Sequence, residues 1–323
     1  MSTKILVIGL DQIGATIGLA LARADGDVLR LGFDPDKKIA KAAKAANAVD
    51  RLVAHPRQAV ESADLIIFAL PHHETEAYLE SLGPKIKPEA IILDTGLIKA
   101  PFFRWAEQHL PSDRAYIGAT PIVGDPSLVD DDSSIAIDRF AGGVLAITAP
   151  AKTPQRAVAI AINLAKILDA QPFFIDVDEQ DAAAATAEDL PILLSAAMLH
   201  SAANSPSWRE LQRLAGTLFV KTTEPCSVDP KQLQRRVSAN RDKLLARMDA
   251  FAEELGRIQE MLLTEQDEEL MRYFEQADSA RSRWLLARAR GDWAAEEMPK
   301  LPDIDTSLVR QLLGFGKRKP KSD

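Results

Sequence analysis

The sequence predicts an α/β fold class: an N-terminal Rossmann-like parallel sheet wrapped by helices, followed by a C-terminal all-helical domain. Three observations carry that expectation. Short apolar runs bounded by Gly, Pro or Asp alternate with helix-like stretches as far as Asp176, the pattern of right-handed βαβ crossovers. Beyond Asp176 the strand-like runs stop. A length of 323 residues is ample for about two domains.

In chain order, Ile5–Gly9, Leu29–Asp34, Leu65–Leu70 and Ile91–Asp94 read as strands buried on both faces. The segments after them, Gln12–Ala24, Pro35–Ala46, Glu74–Leu82 and Ala100–His109, read as the covering helices. Val144–Thr148 and Pro172–Ile175 flank a helix-like Pro154–Leu168 and extend the sheet. Ala182–Ser201, Trp208–Leu218, Pro230–Leu263 and Asp267–Arg290 are rich in strong helix formers. Leu244, Met248, Phe251, Leu255, Ile258 and Leu262 recur at helical spacing, which predicts one long central helix. The expected boundaries are a nucleotide-binding domain over 1–176, a helical domain over 177–298 and a tail over 299–323 ending in the basic run Lys317–Lys321.

Composition narrows the function classes. Apolar residues make up 46% and charged residues 27%, which excludes collagen, a wholly disordered chain and a disulfide scaffold. The net charge of −8 makes a broad nucleic-acid or anionic-membrane surface an unexpected feature. The single cysteine, Cys226, fits a reducing compartment. The apolar run in MSTKILVIGL is too short for a signal peptide or a span, and no uninterrupted apolar stretch of about 18 residues follows. The expectation is a cytoplasmic protein whose partners include neither membrane nor nucleic acid. No metal-ligating Cys/His cluster, P-loop or nucleophile elbow is present.

The segment KILVIGLDQIGATIG sets a strand, a turn and a helix around Gly9–Gly14. A dinucleotide-binding turn wants G-x-G-x-x-G: tight turn, close approach to pyrophosphate, helix–strand packing. The outer glycines are in place, but the middle position is Asp11. A carboxylate there repels a phosphate, or else caps the following helix. Asp34 ends the second strand twenty residues beyond Gly14, where an acid binds the adenosine ribose and disfavours a 2′-phosphate; Asp34-Pro35-Asp36 is equally a helix start. The expected cofactor is NAD, held by Gly9, Leu10, Asp11, Gln12, Ile13, Gly14, Asp34, Leu70 and Pro71.

With that turn placed, six landmarks in order resemble the prephenate/arogenate dehydrogenase family of tyrosine biosynthesis. The family's G-L-G-L-I-G resembles GLDQIG, its A-x-P resembles FALP at Phe68–Pro71, and its D-x-G-S-x-K resembles DTGLIK at Asp94–Lys99. Its G-G-H-P-M-A-G resembles GATPIVG at Gly118–Gly124. In the helical half, H-D followed by S-H-L-P resembles Gln180–Asp181 followed by Glu188–Pro191, and F-R-D-x-T-R-I-A-S-x-D-P-x-x-W resembles Phe219–Leu233; Asn240 matches a downstream Asn opening a long helix. The resemblance implies a Rossmann domain with a helical dimerisation domain, a homodimer, and NAD(P)-dependent oxidative decarboxylation of a small molecule, prephenate or a relative.

The departures fall on the positions the resemblance makes chemical. The family's hydroxyl-contacting Ser is Leu97, its proton-accepting His is Thr120, its pocket His is Asp189, its carboxylate-binding Arg is Glu224, and the Trp after D-P is Leu233. Exchanging Arg for an acid turns attraction for a carboxylate into repulsion, and Asp189 and the run Asp130–Asp132 add charge of the same sign. A threonine hydroxyl does not take a proton near neutral pH. His72, after the fourth strand, is the candidate replacement base, although His72 and His73 read first as exposed loop histidines. Lys99 reads as loop and helix-start structure, His200 as packing or interface, and Asp189 also as a helix N-cap. Three functions follow: a dehydrogenase for prephenate or a relative, one for a neutral or cationic substrate, or a non-catalytic dimeric scaffold or ligand-binding relative.

Overall fold

The computed structural model describes residues 2–24, 26–124 and 135–291. The chain divides into two compact units, the first running to Asp176 and taking up the chain again from Ser279, the second spanning Val177–Asp278.

The first unit is a single eight-stranded sheet: β1 (Thr3–Ile8), β2 (Val28–Phe33), β3 (Arg51–Leu52), β4 (Leu65–Phe68), β5 (Ile91–Asp94), β6 (Ala115–Ile122), β7 (Val144–Thr148) and β8 (Gln171–Phe174). Their spatial order is β3-β2-β1-β4-β5-β6-β7-β8, parallel except for the antiparallel β6–β7 pair. The connecting helices are α1 (Gln12–Leu21), α2 (Lys37–Ala45), α3 (Pro56–Val60), α4 (His72–Leu82), α5 (Ala100–His109) and α6 (Gln155–Ile167).

Covering both faces explains the unbroken apolar runs. Every residue of LIIF in β4 and of IILD in β5 is buried. In α1 seven of ten residues are buried, whereas α2 buries Ala40 and Ala43 and turns its lysines to solvent. Arg30 is the polar exception within β2: its guanidinium binds both oxygens of Asp50 and the carbonyls of Gly18 and Asn47, fastening β2 to the ends of α1 and α2. That contact holds the Asp50 carboxyl below its ordinary range.

Two strands and two short helices were not anticipated. β6 contains Gly118 and Pro121, both unfavourable inside a strand. β3 is two residues long and α3 five, below the length at which a period can be read. Thr217–Thr223 forms a separate helix because Ala215 and Gly216 leave the helical conformation, so Trp208–Leu218 is not one element.

The second unit holds α7 (Val177–Ala184), α8 (Leu190–Ala203), α9 (Trp208–Leu214), α10 (Thr217–Thr223), α11 (Pro230–Ala239), α12 (Arg241–Leu263) and the first half of α13 (Asp267–Arg290). A turn of π-helix at Ala185–Asp189 joins α7 to α8. The resulting segment, Val177–Ala203, is long and apolar enough by composition to cross a membrane, a feature the uninterrupted-run criterion missed. It nevertheless carries the buried polar side chains Gln180, Asp181 and Asp189. The expected single helix over Pro230–Leu263 breaks at Asn240, whose φ of −117° and ψ of 28° leave the α region. The acidic run Asp130–Asp132, the tail 299–323 and Lys317–Lys321 lie outside the described residues.

Candidate functional site

Strand order reverses between β1 and β4, so the loops at the carboxyl ends of those strands open a crevice. Backbone hydrogen bonds fix the crevice: Ala69 N–H donates to Ile8 O at 2.7 Å, and Gly9 N–H donates to Phe33 O at 2.8 Å. Gly9 has a φ of +94°, and a β-carbon on it would lie 2.4 Å from Ala69 O. On Gly14 a β-carbon would lie 1.9 Å from Gly9 O. Neither position can accept a side chain without moving backbone.

Asp34 stands at the far side of this turn. Its Oδ2 accepts the Leu10 N–H at 2.7 Å and its Oδ1 accepts the Asp36 N–H at 2.8 Å. It is therefore both the acid ending β2 and a brace for the next helix start; Asp36 is the residue that caps α2. Burial raises the Asp34 carboxyl, opposed by the two amides. Leu10 and Leu70 are buried, so a ligand in the crevice would meet their backbones, while Gln12 and Ile13 are half-buried and Pro71 is exposed.

Asp11 caps α1. Its carboxylate accepts the Ile13 N–H at 3.3 Å and also takes the Gly14 N–H. Asp11 keeps much of its own surface open to water, yet the concave turn crowds it with protein atoms. That crowding, and to a lesser degree Asp34, push its carboxyl up against the pull of the two amides and of Arg139.

Along β5 and β6 lies a second polar group. Lys99 is completely buried; its Nζ donates to Asp94 Oδ2 at 2.7 Å and to Asp94 O at 2.9 Å. Lys99 precedes α5, so the pair ties that helix start to the end of β5. A β-carbon at Gly118 would lie 2.9 Å from Lys99 Cε, so the bare backbone of β6 makes room for the lysine stem. Thr120, also buried, donates its hydroxyl to Gly96 O at 2.6 Å. Leu97 is half-buried on the intervening loop.

His72 and His73 are not loop residues but the first turn of α4, both half-buried. The His72 ring packs 4.5 Å from that of Trp105. Burial lowers its pKa to about 4, with Lys99, His73 and Arg104 acting in the same direction and Asp94 opposing. At neutral pH it is an uncharged imidazole, able to accept a hydrogen bond and weak as a base.

In the helical unit Asp189 is completely buried and does not cap a helix with its side chain. Its Oδ1 accepts Arg236 Nε at 2.8 Å and its Oδ2 accepts Asn240 Nδ2 at 3.2 Å, while Asn240 also donates to Asp181 O at 2.8 Å. Arg236 reaches Glu188 as well, at 3.3 Å. Asp189 thus carries a paired charge, the partner coming from a helix 47 residues further on that sequence reasoning did not single out. The rule that a buried carboxylate demands a cation was available; which arginine supplies it was not. Glu224 sits exposed in a short 3₁₀ turn and forms no ion pair with a described residue. His200 is exposed on α8. Among the described residues no group of three potential metal ligands occurs.

Arg288, in the returning helix, was also missed. It donates from Nε to Gly124 O at 2.9 Å and from Nη2 to Val123 O at 2.5 Å, clamping the backbone just after β6.

The chain matches two family models: "Prephenate dehydrogenase, nucleotide-binding domain" over residues 17–172 and "Prephenate dehydrogenase, dimerization domain" over residues 176–276. The first match begins beyond the Gly9–Gly14 turn. A prephenate dehydrogenase of Bacillus subtilis is 28% identical over 87% of this chain and 76% of its own. A cyclohexadienyl dehydrogenase of Zymomonas mobilis is 22% identical over 86% of this chain and 94% of its own. Among solved structures, the prephenate dehydrogenase of A. aeolicus in complex with hydroxyphenyl propionate and NAD+ superposes with a TM-score of 0.78 at 17% identity, covering 88% of this chain and 98% of that one. Synechocystis arogenate dehydrogenase gives 0.71 at 22% identity, covering 87% and 100%. With a nucleotide-binding unit and a helical unit matched in series, this chain belongs to the prephenate/arogenate dehydrogenase family of NAD-dependent oxidoreductases.

Proposed function

We propose that the chain is an NAD(H)-binding oxidoreductase that works in the cytoplasm as a homodimer on a small-molecule substrate, and that prephenate itself is a poor substrate. The observation that carries the cofactor is the crevice at the β1/β4 switch point, where Gly9 and Gly14 admit no side chain and Asp34 ends β2. Asp34 keeps lone pairs for the adenosine ribose hydroxyls, and its charge favours NAD over a 2′-phosphorylated cofactor. These residues fit a dinucleotide everywhere except at Asp11, whose carboxylate lies on the helix amides. When bound, NAD+ supplies the hydride acceptor.

The residues that would act on substrate support a changed chemistry. Thr120 spends its hydroxyl proton on Gly96 O and offers no proton-accepting imidazole. His72, neutral against Trp105, is the candidate to accept a hydrogen bond from a substrate hydroxyl. Since Asp189 is neutralised by Arg236, the charge change against a carboxylate rests on Glu224. A substrate neutral or cationic at that point suits Glu224 better than prephenate does. For the dimer, the matched dimerization model is joined by the exposed stripe Leu245, Met248, Leu255 and Leu262 along α12, at spacings of three and seven.

The second reading, a dimeric relative that binds ligand without turnover, is favoured by the Thr120 hydrogen bond and the weak basicity of His72. Calorimetric titration with NADH, followed by turnover assays with NAD+ and prephenate, arogenate or cationic analogues, separates the readings. NADH binding with turnover of a non-prephenate substrate supports the first. Binding without turnover of any of them supports the second, and no binding by either native protein or Asp11→Gly removes the cofactor assignment.

A further inference from the structure

The pyrophosphate of a dinucleotide bound at a Rossmann turn rests on the first amides of the helix that follows the turn. Here those amides are already engaged. Ile13 N–H and Gly14 N–H both point at the Asp11 carboxylate, which is tethered one residue before the start of α1. Glycine at the middle position of the turn leaves this space empty; Asp11 fills it with an anion of the chain itself.

Resting on the NAD reading above, we propose that Asp11 is a built-in competitor for the dinucleotide's pyrophosphate, so that a dinucleotide binds only by displacing or protonating this carboxylate. The consequence is selective. The adenosine end is served by Asp34, whose oxygens are fixed by Leu10 and Asp36 and do not involve the α1 amides. A ligand bearing a pyrophosphate meets the Asp11 charge, whereas a nucleoside without phosphate does not.

The charged groups facing Asp11 come from two other parts of the unit. Asp34, from the end of β2, disfavours its ionised form; Arg139, from the segment before β7, favours it. With burial added, the balance stands on the side of protonation at a higher pH than for an ordinary aspartate. Lowering the pH therefore relieves the competition, and dinucleotide binding tightens as Asp11 takes up its proton.

The test is titration calorimetry of the full chain with NAD+, ADP-ribose and adenosine, for native protein, Asp11→Asn and Asp11→Gly, between about pH 5 and pH 8. The expected result at the upper end is that Asp11→Gly binds NAD+ and ADP-ribose about tenfold or more tightly than native protein, with adenosine unchanged within about twofold. Asp11→Asn keeps a side chain on the amides without the charge and should fall between. Native affinity for ADP-ribose should rise toward low pH relative to that of Asp11→Gly, in which Asp34 remains to titrate but Asp11 does not. Equal affinities in native protein and Asp11→Gly, or an equal gain for all three ligands, overturn the proposal and leave NAD binding standing. Failure of both proteins to bind any dinucleotide overturns the proposal and the NAD reading together.

Discussion

Replacing Lys99 by methionine keeps the buried stem and deletes the ammonium. In the native protein Lys99 is 0% and Asp94 5% exposed at their side chains, with Nζ 2.7 Å from Oδ2. The variant leaves the Asp94 carboxylate inside the protein without its cation, and the Asp94 carbonyl without the donor now at 2.9 Å. Breaking a buried pair by removing one partner costs about 3–5 kcal/mol, mostly the penalty of the stranded charge. For a unit of this size that corresponds to a fall in Tm of roughly 6–20 °C. The double variant Lys99→Met/Asp94→Asn removes both charges and should recover about 2–4 kcal/mol of the loss, a coupling measured by a double-mutant cycle in differential scanning calorimetry. A second readout is independent of stability. Lys99 helps to lower the His72 pKa and Asp94 opposes it, so in Lys99→Met the His72 pKa followed by NMR should move up from about 4. A single variant within 1 kcal/mol (about 2–4 °C) of native protein, or a double variant less stable than Lys99→Met, would refute the reasoning.

Two further outcomes concern pH and the helical unit. His72 has its pKa lowered from 6.5 to about 4 in the folded state, so folding favours the neutral ring. Its contribution to stability is complete above pH 6.5 and declines as pH falls toward about 4; His72→Gln should flatten urea midpoints over that window, and an unchanged slope would contradict the assignment. Arg236→Met strands the fully buried Asp189 with Asn240 as its remaining donor. It should cost about 2–4 kcal/mol, reduced from the full buried-pair figure because Arg236 is partly exposed, while Arg236→Met/Asp189→Leu should be markedly less damaged in thermal unfolding by circular dichroism.

Much of the sheet was legible because a strand covered on both faces has to be apolar throughout, as LIIF and IILD are. β6 was not, because Gly118 and Pro121 argue against a strand when neighbours are unknown. In the fold the first makes room for Lys99, and both stand in the ladder with β7. The break at Asn240 was hidden for the same kind of reason. Strong helix formers stand on either side of it, whereas in the fold the Asn240 side chain donates to Asp181 O and Asp189 Oδ2, contacts between distant segments.

By itself the sequence determined the fold class and the change near Asp176, because burial patterns repeat along the chain with the periods of strand and helix. It also placed Gly9 and Asp34 at strand ends and Gly14 inside the first helix, since tight turns leave a local residue signature. What it left open were the charge states. Whether the Asp11 carboxylate caps α1, whether Asp189 has a cationic partner, and whether His72 is a loop histidine or a neutral ring against Trp105 were settled only by the tertiary structure. The physical reason is that ionisation depends on desolvation and on partners brought together from far along the chain, neither of which any local pattern of residues encodes.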